Sequence, residues 1–210
     1  MPNINSNKII TAVVTNFNKP PHILRRCIDS INMYGIRYII VDDNSDNVEH
    51  LKEYDNVILL NKNVGTYKAF EIGMETVDTG YIMRVDADDY ITGKPDISSF
   101  RDAYINNIHG MITLDLDSFI KKPYAGLGGA VVKVDVLKDV WYSCAMYAAD
   151  IIIFVRLVKR YDCVMNKKCL YVYDRTHSTI TKIDHNIRRE HLNYAKSVAM
   201  AELLYCDSIN

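Results

Sequence analysis

Over the first ninety residues, short apolar runs alternate with stretches of helical periodicity. Ile9 to Val14 is apolar except for Thr11 and opens into polar Thr15, Asn16 and Asn18, the pattern of a buried strand leaving the core. Lys19, Pro20 and Pro21 break that run. Leu24, Cys27, Ile28 and Ile31 then recur at i, i+3, i+4 and i+7, which predicts a helix from Pro21 to Met33. Tyr38 to Val41 and Val57 to Leu60 read as the second and third strands. Tyr67 to Thr76 reads as a helix, and Tyr81 to Val85 as the fourth strand. Strand–helix alternation of this kind predicts an α/β fold: a Rossmann-like, mostly parallel central sheet flanked by helices on both faces. Such sheets bind ligands beyond the carboxyl ends of their strands. Three polar clusters stand at such ends: Thr15, Asn16 and Asn18; Asp42, Asp43 and Asn44; Asp86, Asp88 and Asp89. Their shared placement predicts a single site.

The remainder is less regular. Met111 to Leu116 and Ala130 to Val134 read as further strands in a mixed region. Gly126, Gly128 and Gly129 form a turn where backbone can approach a ligand closely. Ile151 to Tyr161 is a strongly apolar helix entered through Asp150, a favoured N-cap residue. Leu170 to Tyr173 reads as a short strand. From Asp184 to Leu204 the pattern turns helical, with Ile187, Leu192, Ala195, Val198, Ala199 and Leu203 available for one face. No repeat or linker interrupts the chain, so residues 1–210 read as one domain with a C-terminal helix.

Composition narrows the class. A 210-residue chain with 49% hydrophobic and 24% charged residues is an ordinary globule with a sizeable core. A net charge of -1 offers no general attraction to nucleic acid or anionic membrane, so phosphate recognition has to be local. The five cysteines are scattered, with no CxxC pair, which predicts reduced thiols and no zinc site. Neither a signal peptide nor a membrane-spanning run is visible, so the expected location is the cytoplasm.

Asp86, Asp88 and Asp89 carry the sharpest chemistry. Like charges this close repel, and burying them unpaired is costly. A divalent cation relieves both problems, and hard oxygen ligands suit Mn²⁺ or Mg²⁺. Taken alone, the same residues read as an acidic, solvated loop.

The combination of Val13-Val14-Thr15-Asn16-Phe17-Asn18, Val41-Asp42-Asp43-Asn44-Ser45, Asn63-Val64-Gly65 and Val85-Asp86-Ala87-Asp88-Asp89 resembles a family 2 glycosyltransferase of the GT-A fold. Downstream, Ala149-Asp150 with Arg156 resembles the family's Glu-Asp motif and trailing arginine, and Arg175 with His177 its Arg-x-His element. The resemblance implies a nucleotide-binding half over about 1–90, an acceptor and catalytic half over about 91–180, and a helical element over about 184–205. It also extends to a viral source, with the chain as one domain of a longer polypeptide in the host cytoplasm.

What the resemblance implies can be stated residue by residue. The donor is a nucleotide sugar, with a UDP-sugar favoured because Asp43 stands where the family reads uracil. Thr15, Asn16 and Asn18 frame base and ribose, although Asn18 before Lys19-Pro20 is also ordinary turn chemistry. Asp42 contacts the nucleotide or anchors its loop. Asn63, Gly65 and Lys68 wrap base and phosphates, unless Lys68 is merely solvated. Asp88 is the direct metal ligand; Asp86 meets ribose or metal, and Asp89 supports the loop or the acceptor side. His177 completes the coordination or, with Arg175, meets the pyrophosphate. Asp150 is the general base for a glycan or other acceptor hydroxyl, in an inverting single displacement. Three departures stand out: Ala149 in place of an acid, Phe70-Glu71 in place of Arg-Asn, and a short acceptor region. Two rival classes are a sugar-phosphate nucleotidylyltransferase, which would carry a glycine-rich loop after the first strand, and a non-catalytic nucleotide-sugar-binding module.

Overall fold

The computed structural model describes residues 9–106, 127–143, 148–166, 170–174, 176 and 184–205. Its first half follows the sequence pattern closely. β1 (Ile10–Asn16), β2 (Arg37–Asp42), β3 (Val57–Leu59) and β4 (Tyr81–Asp86) lie side by side in the order β3-β2-β1-β4, all parallel. Parallel neighbours need crossover connections. Two of these are α1 (Pro21–Met33), between β1 and β2, and α2 (Thr66–Glu75), between β3 and β4.

Side chains along a strand alternate between faces, and the core divides accordingly. Ala12, Val14, Ile40, Met83 and Val85 face α1, whose Leu24, Cys27, Ile28 and Ile31 are buried against them as the spacing predicts. Val13, Val41 and Ile82 belong to the opposite face, with Tyr67, Phe70 and Met74 of α2. Gly73 sets how closely α2 lies on the sheet. A Cβ there would stand 2.5 Å from Val13 Cγ1 and 2.7 Å from Val41 Cγ2.

Beyond β4 the sheet becomes mixed. β5 (Tyr90–Ile91) leaves the main sheet and pairs antiparallel with β9 (Tyr171–Val172). β6 (Ala103–Asn106), β7 (Val131–Lys133) and β8 (Cys163–Asn166) complete a seven-stranded order, β3-β2-β1-β4-β7-β6-β8, among the described residues. β7 runs against both β4 and β6, whereas β6 and β8 are parallel. α3 (Val134–Val140) follows β7 directly. The strand expected over Ala130 to Val134 is therefore shorter, because its last residue begins a helix. The strand expected over Met111 to Leu116 lies outside the described residues.

α4 (Ala149–Arg160) is apolar around much of its circumference, with Ile151, Ile152, Ile153, Phe154, Val155 and Leu157 all buried. A helix of that composition needs cover on several sides. The sheet and α3 supply some of it. α5 (His185–Tyr205) supplies more through Ala195 and Ala199, and Asp184 caps its start by accepting the Asn186 N–H at 2.8 Å. Among the described residues, no helix is long and apolar enough to cross a membrane.

Candidate active site

Strand register brings the three polar clusters to one edge. Asn16 lies opposite Asp42 across β1 and β2, and Thr15 lies opposite Asp86 across β1 and β4. Side chains close the same links. Asn16 Nδ2 donates to Asp42 Oδ1 at 2.6 Å, and Thr15 Oγ1 donates to Asp86 Oδ1 at 3.1 Å. Asp42 also accepts from the Ser45 amide at 2.8 Å and the Ser45 hydroxyl at 2.7 Å, the loop-anchoring role. Asn18, at a positive φ of 52°, donates its amide N–H to the Ser45 hydroxyl oxygen and exchanges hydrogen bonds with Asp46. Asp43 reaches the other way. Its carboxylate accepts the Val64 amide at 2.7 Å and the Gly65 amide at 2.8 Å, and its carbonyl accepts from Asn63 Nδ2. Burial raises the Asp43 pKa in spite of those two amides.

The carboxylates after β4 take three different sets of partners. Asp86 accepts from Arg84 at 2.8 Å as well as from Thr15. Asp88 pairs with Lys19 at 2.7 Å, and its raised pKa comes first from burial, against the pull of that ammonium. Asp89 is wholly buried; it accepts the Tyr171 hydroxyl and the Asp174 amide, the latter at 2.8 Å. Burial, helped by the Asp86 charge, pushes its pKa up to about 8. Asp89 is thus tied into the structure and supports the loop. Arg26 of α1 completes the support, donating to the Asp88 carbonyl at 2.6 Å and to Asp174 at 2.8 Å while lying 4.7 Å over the Tyr90 ring.

Tyr171 also explains the glycine turn. A Cβ on Gly129, whose φ is +67°, would stand 2.5 Å from Tyr171 Cδ2, and one on Gly128 would stand 2.8 Å from Tyr171 Cε1. The close approach expected at this turn is made to an aromatic ring of the protein. Gly129→Ala is therefore expected to cost about 1–3 kcal/mol, the range of overpacking, with strain at positive φ added. Unfolding in urea measures it, and unchanged stability would show that the ring moves aside freely.

Asp150 lies in the first turn of α4, although not as its cap. Ala148, in the left-handed region at φ 68°, precedes the helix, and no side chain caps it. The Asp150 carboxylate instead lies within reach of the Tyr67 hydroxyl and the Arg84 and Asp86 charges. Burial raises its pKa to about 6, while Arg84 and a hydrogen bond from Tyr67 pull down and Asp86 pushes up. Arg84 is itself buried and lies 5.1 Å over the Tyr67 ring. Asp86 pairs with this guanidinium directly, and the same positive charge also acts on Asp150. A carboxylate that still exchanges its proton near neutrality can serve as a general base.

A profile of glycosyl transferase family 2 matches residues 11–140, well over half of the chain. The chain belongs to glycosyl transferase family 2. Its fold is the GT-A arrangement that the resemblance implied. S. aureus TarS 1–349 in complex with UDP-GlcNAc superposes with a TM-score of 0.68 at 15% identity, over 89% of this chain and 65% of that one. The same fragment with UDP gives 0.65 at 15% identity, over 91% and 65%. S. aureus TarS itself gives 0.61 at 16% identity, over 93% and 43%. The chain therefore spans less than two thirds of the structures it resembles. No curated protein gives a significant match. None of these similarities supports a viral source.

For a family 2 glycosyltransferase, the departures now have local causes. Ala149 is fully buried, so an acid there would lose its contact with water. Phe70 is fully buried and packs 5.0 Å from the Trp141 ring, while Glu71 pairs with Lys68 at 2.9 Å and accepts from Ser143 at 2.6 Å. Lys68 is thereby engaged at a half-exposed position. Arg156 turns to α5, where it meets Glu202 at 2.7 Å together with Arg160. Arg175 and His177 lie outside the described residues, and among those described no three His, Cys, Asp or Glu side chains form a group able to hold a metal. Arg84, Lys19, Arg26, Tyr67 and Tyr171 are the members of the cluster that the sequence reading passed over.

Proposed function

We propose that the chain binds a nucleotide sugar, with UDP as the nucleotide, beyond the carboxyl ends of β1, β2 and β4, and transfers the sugar to an acceptor hydroxyl with inversion. The observation that carries this reading is the meeting of the polar strand ends at one edge of the sheet, Thr15 opposite Asp86 and Asn16 opposite Asp42, with the Asp150 carboxylate close enough to feel the Arg84 and Asp86 charges. Family membership and the UDP and UDP-GlcNAc bound by TarS support the donor class. In the reaction the acceptor oxygen forms a bond to the anomeric carbon as the bond to the diphosphate oxygen breaks. The electron pair leaves with UDP, and the acceptor proton passes to Asp150. Tyr67, donating to Asp150, holds that carboxylate in place, and the Arg84 charge favours its ionised form.

Asp86 and Asp88 suit Mn²⁺ or Mg²⁺ by donor chemistry. Both offer hard oxygens, and both already draw a protein cation. Two carboxylates plus substrate phosphates are an ordinary Mg²⁺ site, so the lack of a third described ligand is no obstacle. His177 remains the proposed additional ligand and Arg175 a proposed pyrophosphate contact. When bound, the ion supplies charge neutralisation to the leaving diphosphate.

The test is equilibrium binding of UDP and UDP-sugars with Mn²⁺ or with excess chelator, followed by release of UDP on addition of acceptors. Binding that weakens on chelation, with turnover, is expected. Equal affinity in chelator would remove the metal from the donor site, and binding of no nucleotide sugar would end the donor reading. Binding without turnover on any acceptor would favour the non-catalytic module.

A further inference from the structure

We propose that Arg26 is a positioning residue for the metal: it sets the Asp88 peptide so that the carboxylate of that residue stands where the ion needs it. The inference rests on the metal reading above and deepens it. One nitrogen carries the link. Arg26 Nη2 donates to the Asp88 carbonyl at 2.6 Å and to Asp174 Oδ2 at 2.8 Å, tying the loop after β4 to the residues just past β9.

The arm starts from a fixed point and ends in a fixed orientation. Cys27, the next residue of α1, is fully buried, with its thiol 3.9 Å from the Asp86 carbonyl. The guanidinium lies 4.7 Å over the Tyr90 ring, a stacking that sets its plane. The peptide it grips is itself planar and held at both ends. Its carbonyl oxygen takes Arg26, and its N–H, that of Asp89, donates to the Asp86 carbonyl at 2.9 Å. A separate tie runs from the Asp89 carboxylate to the Asp174 amide at 2.8 Å. That tie keeps the loop in place without Arg26, so what the arginine adds is the setting of the peptide that carries Asp88.

A cation in this position acts on a metal in two opposed ways. Its charge repels the ion, whereas its hydrogen bonds preset the ligand. Charge alone predicts tighter metal binding once Arg26 is removed; positioning predicts weaker binding. The Arg26 side chain is 38% exposed and paired with Asp174, so solvent and partner both blunt the repulsion. Mg²⁺ demands near-ideal octahedral geometry, and residues that orient a ligand are commonly worth about 10–100-fold in metal affinity. Position outweighs charge.

The experiment titrates Mn²⁺, followed by its EPR signal, into the full chain with UDP present. The proteins are wild type, Arg26→Met, Arg26→Lys and Asp174→Ala, each checked for folding by circular dichroism. Arg26→Met is expected to bind Mn²⁺ about 10–100-fold more weakly than wild type. Arg26→Lys should lie between the two, since an ammonium keeps the charge without the planar, stacked fork. Asp174→Ala, which removes the other anchor of the same nitrogen, should weaken Mn²⁺ binding and add little when combined with Arg26→Met. UDP affinity in excess chelator should be unchanged in every variant. If Arg26→Met binds Mn²⁺ as tightly as wild type or tighter, Arg26 does not position the ligand, and the metal reading stands provided that wild type takes up Mn²⁺. UDP binding in chelator that falls as far as Mn²⁺ binding would mark a general structural role and also overturn the inference. Should neither Arg26 variant fold, Asp174→Ala decides: Mn²⁺ affinity equal to wild type overturns the proposal. Wild type that takes up no Mn²⁺ with UDP overturns the inference and the metal reading together.

Discussion

Asp150→Asn is expected to lower sugar transfer by about 10²–10⁴-fold, the usual worth of a general base, while donor affinity stays close to wild type. Asparagine keeps the shape and can still accept the Tyr67 hydroxyl, but it cannot take a proton from the acceptor. The pH profile provides a second signature. With the carboxyl pKa raised to about 6, the basic form is lost as pH falls through that value, so wild-type kcat/KM should drop about tenfold per pH unit below it. Asp150→Asn should lack that limb. Stability carries the opposite sign. The folded state holds this proton more tightly than the unfolded chain, so ionising Asp150 costs stability as pH rises from the usual carboxylate range through about 6. Near-normal transfer by Asp150→Asn would leave the residue without a catalytic role.

Arg84→Met should produce the second large effect, on stability and on the profile at once. The guanidinium is buried, pairs with Asp86 at 2.8 Å and draws down the Asp150 pKa. Removing one partner of a buried pair commonly costs about 3–5 kcal/mol, and partial exposure of Asp86 places this case toward the low end. Asp150 loses its nearby positive charge, so the acidic limb should move to higher pH, whereas Arg84→Lys should retain much of both properties. Chemical unfolding and a pH–rate series measure the two effects. A limb that stays near 6 in Arg84→Met would mean that the arginine does not tune the base.

β1, β2, β4 and α1 were legible because they are strongly apolar runs and a clean helical face dictated by burial, whereas β3 is a short apolar edge strand whose Leu59 is exposed. The strand ends were not, since β1, β2 and β4 extend to Asn16, Asp42 and Asp86, polar residues held in the ladder by backbone pairing. β6 and β8 are four residues each, beside Asp102 and Asp162, and offer too little apolar pattern to register. β7 and α3 follow each other without a break, and the apolar spacing changes period at Lys133 within a few residues. The site was half visible. Acidic and amide side chains at strand ends announced themselves, whereas their partners came from far along the chain: Lys19 for Asp88, Tyr171 for Asp89, Tyr67 for Asp150. Arg84 did leave a signal, since a lone arginine inside a buried strand demands a charged partner nearby.

Asp43 bears on how such an enzyme can change its donor over evolutionary time. Both of its carboxylate oxygens anchor the backbone just ahead of α2, so drift at this position meets an architectural constraint before any ligand is considered. A substitution that altered base preference would also loosen Val64 and Gly65 and blur its own gain. Selection for new donors should therefore leave Asp43 in place and accumulate around it, and a laboratory library that spares this residue should yield more folded variants than one that randomises it.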